Sequence, residues 1–346
     1  MFIQRSFLAI LVGTALCLLG VAVWSGACRA EDRPEGFHVD GTSDMAVPTV
    51  LDALVEPPPG GTEHGGVDAG PQPETPAAPV EPEILARSAI LVDAATGEIL
   101  YAKDPDLAIP PASMTKLMTM HIALARIEDG RLGLDELVHI GQDAWAANFP
   151  AGSSLMFLEP GQKVTVRELL LGLAVSSGND AAAALAVHVA GDLMEFVGMM
   201  NQEAAALDLD QLYFVDPAGL SSRNQVTAGQ FAEFCRVYAQ AHPWALREFH
   251  AAVSFAYPQA WNLAPGSSQE PIVQENRNLM LQRYPGVDGL KTGYISSSGY
   301  NLAVTASREG RRLVAVLMGG PGENHAQGGE NLVHDGTLLL DYGFAK

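Results

Sequence analysis

Three short polar motifs stand in order along this chain: Ser113-Met114-Thr115-Lys116, Ser177-Gly178-Asn179 and Lys291-Thr292-Gly293. If they act together, the fold has to bring a helix start, a loop and a strand to one point. The lysines mark the set as chemical. The 346 residues hold five lysines against fifteen arginines, so positive charge is otherwise met with arginine. Arginine stays protonated in any protein site, whereas a buried lysine can lose its proton and become a base. Two scarce lysines placed with serines read as a serine acyl-transfer enzyme. Each motif alone has an ordinary explanation: a capped helix start, a polar loop before an Ala-rich helix, an edge strand entering a turn. Their order, each in the setting the chemistry needs, outweighs those explanations.

The local patterns supply that setting. Ser88–Asp93 and Glu98–Lys103 alternate as strands around Ala94-Ala95-Thr96-Gly97, a hairpin with glycine at its turn. Pro110-Pro111 ends the extended chain and opens a helix expected from Ala112 to Ile127. Ser113 then sits in the first turn, where unpaired N–H groups and the helix dipole favour developing negative charge. Lys116 lies one turn on, over the same face. An apolar helix from Leu169 to Val175 ends at the second motif, and an Ala-rich helix runs from Asp180 to Ala190 before Gly191. Further helices are expected over 196–207 and 230–241. Strands return over 289–295, 300–307 and 312–318, with a last helix from Glu330 to Tyr342.

Composition bounds the rest. The formal charge of −20 argues against a nucleic-acid partner, since phosphate would be repelled. Arg5, the apolar run Phe7–Trp24 and the small residues at Ser25-Gly26-Ala27 or Cys28-Arg29-Ala30 read as an export signal over residues 1–30. Cleavage is the expected fate; lipidation at Cys28 and an uncleaved anchor follow in that order. Residues 31–83 hold ten prolines, twelve acids and one arginine, a disordered, acidic tether that cannot bury enough apolar surface to order itself. Residues 84–346 form the catalytic domain. Cys235 is the one cysteine outside the signal region, so no internal disulfide is expected in the mature chain. No Cys/His spacing suits a metal, and no cofactor is expected.

The three motifs in this order resemble the penicillin-recognising DD-peptidases and serine β-lactamases. Nearly the whole body, Ser88 to Phe344, is similar to the D-alanyl-D-alanine carboxypeptidases (low-molecular-mass penicillin-binding proteins, serine peptidase family S11). The similar stretches include Leu158-Glu-Pro-Gly-Gln, Asp216-Pro-Ala-Gly-Leu, Val287-Asp-Gly-Leu-Lys-Thr-Gly-Tyr and Leu339-Leu-Asp-Tyr-Gly-Phe344. The resemblance implies an α/β (α+β) two-lobed fold, an antiparallel sheet flanked by helices beside an all-α lobe. It implies removal of the terminal D-alanine from peptidoglycan stem pentapeptides through an acyl-enzyme, with β-lactams as inhibitors. Residue by residue, Ser113 would be the nucleophile. Lys116 would be the base, its pKa lowered by burial and by Lys291. Ser177 would pass the proton to the leaving D-alanine. Asn179 would hold the substrate amide, Lys291 and Thr292 would meet the terminal carboxylate, and Gly293 would admit the substrate strand. The N–H groups of Ser113 and Tyr294 would form the oxyanion hole.

Three departures stand out. Ile295 and Ser296 follow the third motif where many relatives have threonine. Asn331, Leu332 and His334 occupy the region where many relatives have a helix arginine for the carboxylate. The chain ends at Lys346, without the β domain and amphipathic C-terminal helix of several relatives, so any membrane contact is expected at the N-terminus of a periplasmic or otherwise extracytoplasmic enzyme. The competing functions are a DD-endopeptidase on cross-links, which needs the same residues; a serine β-lactamase, for which the E-x-x-L-N loop is missing; and an inactive peptidoglycan-binding protein.

Overall fold

The computed structural model describes residues 79–346. The expected signal, and all of the expected tether except residues 79–83, lie outside the described residues. Residues 79–83 have no regular structure, and Ile84 is the first buried side chain.

Strands β1 (Ser88–Asp93) and β2 (Ile99–Lys103) form the hairpin, with Gly97 at φ 75° in the turn. A single 3₁₀ turn, Ala112–Thr115, leads into α1 (Lys116–Glu128). Then come the two-residue strand β3 (Leu137–Val138), its antiparallel partner β4 (Val164–Thr165), and α2 (Val166–Leu171). A complete capping box between Thr165 and Glu168 starts α2, a device that stabilises a helix by about 1 kcal/mol. Helices α3 (Asn179–Ala190), α4 (Leu193–Ala206) and α5 (Ala228–Ala241) follow, with a short α6 (Pro243–Ala245). A small ladder of β5 (Ser254–Tyr257) and β6 (Ile272–Glu275) precedes α7 (Met280–Arg283). Strands β7 (Val287–Ile295), β8 (Gly299–Arg308) and β9 (Arg311–Gly320) and helix α8 (His325–Ala345) complete the chain.

The main sheet is antiparallel in the order β2-β1-β9-β8-β7, which leaves β7 at an edge. Alternation along its strands feeds two cores. Ile90, Val92, Val314 and Val316 join Phe231, Phe234 and Tyr238 of α5 on one face. Leu91, Leu313, Ala315 and Leu317 meet Leu332, Leu339 and Leu340 of α8 on the other. The first core runs on into the helical lobe of α2, α3 and α4, and α1 lies within it, buried from Lys116 to Leu124 on every side.

Two expected elements differ. The helix foreseen over 169–175 ends in a widened π turn, Gly172–Ser176, in which Ser177 N–H reaches back to the Gly172 carbonyl. The last helix starts at His325, five residues before Glu330, because Asn324 caps it by accepting from Gln327 N–H. Its first turns contain Gly328 and Gly329, poor helix formers that hid the start. Packing overrides that preference: the Tyr300 ring fills the space beside Gly328, where a Cβ would lie 2.3 Å from the ring.

Candidate active site

Ser113 sits in the 3₁₀ turn before α1, and the turn is clamped from two sides by bare backbone. On the β7 side, a Cβ at Gly293 would lie 2.5 Å from the Pro111 carbonyl and 3.0 Å from Ser113 N. On the other, a Cβ at Gly219 would overlap the Ala112 carbonyl, and Gly219 itself has φ 82°. Ala112 is held at φ 51°, a conformation L residues rarely adopt. The Ser113 backbone is therefore set by its neighbours more than by its own preferences.

Lys116 is fully buried one turn on. Its Nζ lies 3.1 Å from Ser113 Oγ, 2.7 Å from Asn179 Oδ1 and 2.6 Å from the Ala218 carbonyl. An uncharged amine has two N–H donors and one lone pair. Asn179 and Ala218 take the two donors, so the lone pair is left for the Ser113 hydroxyl. Burial pushes the Lys116 pKa down to about 7, against the opposing pull of the Asp216 and Asp180 carboxylates. Asp180 is itself buried at the start of α3, accepting from Met156, Leu158 and Ala181 N–H, and desolvation raises its pKa.

Ser177 leaves the π turn at φ 57°, buried on the lining of the same cleft, and its hydroxyl makes no hydrogen bond among the described residues. Asn179 opens α3 with its oxygen on Lys116; its amide nitrogen has no partner among the described residues. Lys291, in β7, is 2 % exposed, and its one bond is a donation to the Thr292 carbonyl at 3.2 Å. Burial first, then the charges of Lys116 and Arg277, push its pKa well below the lysine range. The sequence reading made Lys291 the cation that depresses Lys116. Here the repulsion between the two amines lowers the Lys291 pKa, and Arg277 is the cation that lowers that of Lys116.

All eight residues singled out by sequence converge. Ser113, Ser177, Asn179, Thr292, Gly293 and Tyr294 line one cleft of about 860 Å³, with Lys116 and Lys291 in its floor. Sequence reasoning missed Arg277, which also lines the cleft and has no ion-pair partner among the described residues. Its loop is pinned by Asn276 Nδ2 donating to the Ala252 carbonyl and by Asn278 Oδ1 accepting from Met280 N–H; the flanking Asn-Arg-Asn was the available signal. Of the three residues named where many relatives have a helix arginine, Leu332 lines the cleft. Since α8 begins earlier, His325, Ala326, Gly329 and Leu332 face the cleft, while Asn331 caps the Pro321 carbonyl and His334 is exposed. Tyr294 stacks on Tyr300 at 4.4 Å, with His325 edge-on at 4.8 Å, and the three form one wall. No aspartate or glutamate lines the cleft among the described residues.

Comparison with known proteins places this arrangement. The family profile described as D-alanyl-D-alanine carboxypeptidase, peptidase S11, matches residues 74–322. D-alanyl-D-alanine carboxypeptidase DacD of Escherichia coli K12 is 42% identical over 248 residues, 70% of this chain and 61% of that protein. D-alanyl-D-alanine carboxypeptidase DacF of Bacillus subtilis is 32% identical over 268 residues, 75% of this chain and 62% of that protein. The chain thus spans about three-fifths of these relatives. Among solved structures, penicillin binding protein 6B from Escherichia coli superposes with a TM-score of 0.68 at 36% identity, covering 79% of this chain and 81% of that one. The carboxypeptidase DacD from Francisella tularensis gives 0.71 at 27% identity, covering 80% and 74%. With 249 consecutive residues under one profile, and the same two-lobed fold in its neighbours, the chain belongs to the S11 family of D-alanyl-D-alanine carboxypeptidases.

Proposed function

We propose that this protein is a serine-type D-Ala-D-Ala carboxypeptidase that removes the terminal D-alanine from peptidoglycan stem peptides and is acylated by penicillins. The observation that carries the reading is the buried Lys116 Nζ 3.1 Å from Ser113 Oγ, beside a cleft lined by no carboxylate among the described residues. Lys116 takes the Ser113 proton as Oγ attacks the penultimate carbonyl, and the N–H groups of Ser113 and Tyr294 receive the oxyanion. Such donors are each worth about 3 kcal/mol. The tetrahedral intermediate collapses to a Ser113 ester as the leaving amine takes a proton through Ser177, and water then hydrolyses that ester, freeing Ser113 and the shortened peptide. Asn179 holds the substrate amide, and β7, as an edge strand, offers backbone groups to an extended peptide. Lys291, Thr292 and Arg277 receive the terminal carboxylate. Arg277 supplies permanent charge, and the incoming anion favours the protonated form of Lys291.

Among the described residues no carboxylate lines the cleft to speed water onto a penicilloyl ester, the step that a β-lactamase must make fast. A labelled penicillin should trap a slowly released adduct on Ser113; rapid turnover with no adduct would overturn the reading. Cross-linked peptides could use the same groups, and release of D-alanine from a pentapeptide against cleavage of a cross-linked dimer decides between them. The place of action that fits this substrate is outside the cytoplasmic membrane, with attachment, if any, through the N-terminus; fractionation of the full-length protein tests that.

A further inference from the structure

The loop after α4 is built around one carboxylate. Asp216 Oδ1 accepts from Ala218, Gly219 and Leu220 N–H at 2.9, 2.6 and 3.1 Å, and Oδ2 accepts from Ser221 N–H at 2.8 Å. With its N–H groups turned inward, the loop presents three consecutive carbonyls outward. The Asp216 carbonyl accepts from Asn224 Nδ2, which also donates to Thr115 Oγ1. The Pro217 carbonyl accepts from Thr119 Oγ1 at 2.6 Å, and the Ala218 carbonyl accepts from Lys116 Nζ at 2.6 Å. The next residue, Gly219, presses on the Ala112 carbonyl behind Ser113. The loop thus touches the nucleophile's turn and α1 at Ala112, Thr115, Lys116 and Thr119.

We propose that Asp216 is a positioning residue for Lys116: its carboxylate folds the 216–221 loop so that the Ala218 carbonyl occupies one of the amine's two donors and directs the lone pair at Ser113. The same carboxylate supplies negative charge to the amine's surroundings. The charged groups acting there are Asp216 from the loop, Asp180 from α3, Arg277 from the segment before α7, and Lys291 from β7. Two carboxylates raise the amine's proton affinity and Arg277 lowers it, so removing Asp216 leaves a weaker base that titrates at lower pH.

This rests on the acyl-transfer reading, and the experiment separates the two. The rate of Ser113 acylation by a labelled penicillin is measured from pH 5 to 9 for wild type, Asp216→Asn, Asp216→Ser and Glu195→Gln, with thermal melts of each. The last removes an exposed charge on α4 as a control. In Asp216→Asn an amide cannot accept at both positions, and in Asp216→Ser the hydroxyl keeps part of the cap without the charge. Both should move the acid limb down by about one pH unit, the scale of losing a nearby opposite charge. Both should also lower the plateau about tenfold, as a weaker base does. Glu195→Gln should leave the profile unchanged. No acylation of wild type would sink the reading of the whole site, and this proposal with it. A wild-type acid limb in both Asp216 variants while wild type acylates overturns the proposal alone, as does an equal shift in Glu195→Gln. If Asp216→Asn loses its cooperative melt, Asp216→Ser decides.

Discussion

Lys116 and Lys291 are equally buried, yet the protein seats them in opposite surroundings. Beneath Lys116 lie two carboxylates, Asp180 and Asp216, and its Nζ has three oxygen neighbours. Beside Lys291 there is one carbonyl, and under its strand lies His250, which donates to or accepts from Tyr238 at 2.7 Å and faces the Leu290 carbonyl. Burial pushes His250 down to about 4, with the Lys291 charge lowering it further, so this floor is neutral. The contrast suits one residue type to the two tasks proposed for it. A compensated amine keeps a pKa near neutrality and can cycle a proton; an uncompensated one waits for an anion to complete its surroundings.

The comparison breaks most readily at Lys116. Arginine there keeps charge and approximate length, but cannot take the Ser113 proton at neutral pH, and should lower acylation by about a hundred to ten thousand fold. In wild type the rate should rise with pH through about 7, following the amine. Near wild-type acylation by Lys116→Arg would show that Lys116 is not the base.

The neutral floor is tested by stability. His250 titrates near 6.5 when unfolded and near 4 when folded, so the unfolded chain binds the extra proton between those values. Its contribution is present above pH 6.5 and is lost as the pH falls toward 4, to the extent of about 3 kcal/mol. Urea unfolding of wild type and His250→Gln should show a smaller acid loss in the variant; parallel curves would put a charged histidine under β7.

The next effect is milder. Lys291→Arg retains a cation for the carboxylate and should cost about tenfold in carboxypeptidase kcat/KM, the lower range for losing a hydrogen bond to a charged group. A loss as deep as that of Lys116→Arg would mean the two lysines share the proton work. Removing residues 1–82 should change neither lysine's surroundings, and acylation rates of that shortened chain should match the full-length protein. A fall would show that the acidic segment belongs to the active fold.

Much of this site was legible because its chemistry is carried by short local patterns. Pro110-Pro111 before an apolar helix placed Ser113 and Lys116 on one face, and the apolar runs on either side of a Gly-containing turn placed Lys291-Thr292-Gly293 among strands. Tertiary positioning was not legible. Arg277 reaches the cleft from a short loop with no periodicity, anchored on one side by Asn276, whose partner Ala252 lies 24 residues back along the chain. Gly219 stood out only as part of Asp216-Pro-Ala-Gly-Leu, and its work is to let a distant loop touch Ala112. The start of α8 was masked by Gly328 and Gly329, the first of which makes room for the Tyr300 ring.

The π turn at Gly172–Ser176 has a consequence for how the gene can vary. A turn closed over five residues is an α-helix carrying one residue too many, and that extra residue sets the direction in which Ser177 leaves. Deleting a single residue between Leu169 and Val175 would let the helix relax to regular winding and rotate everything after it by about 100°. Ser177 would swing away from Ser113, with every residue of the proposed site still encoded. Length in this segment is therefore under tighter constraint than residue identity, and a one-codon deletion there should be more damaging than any conservative replacement.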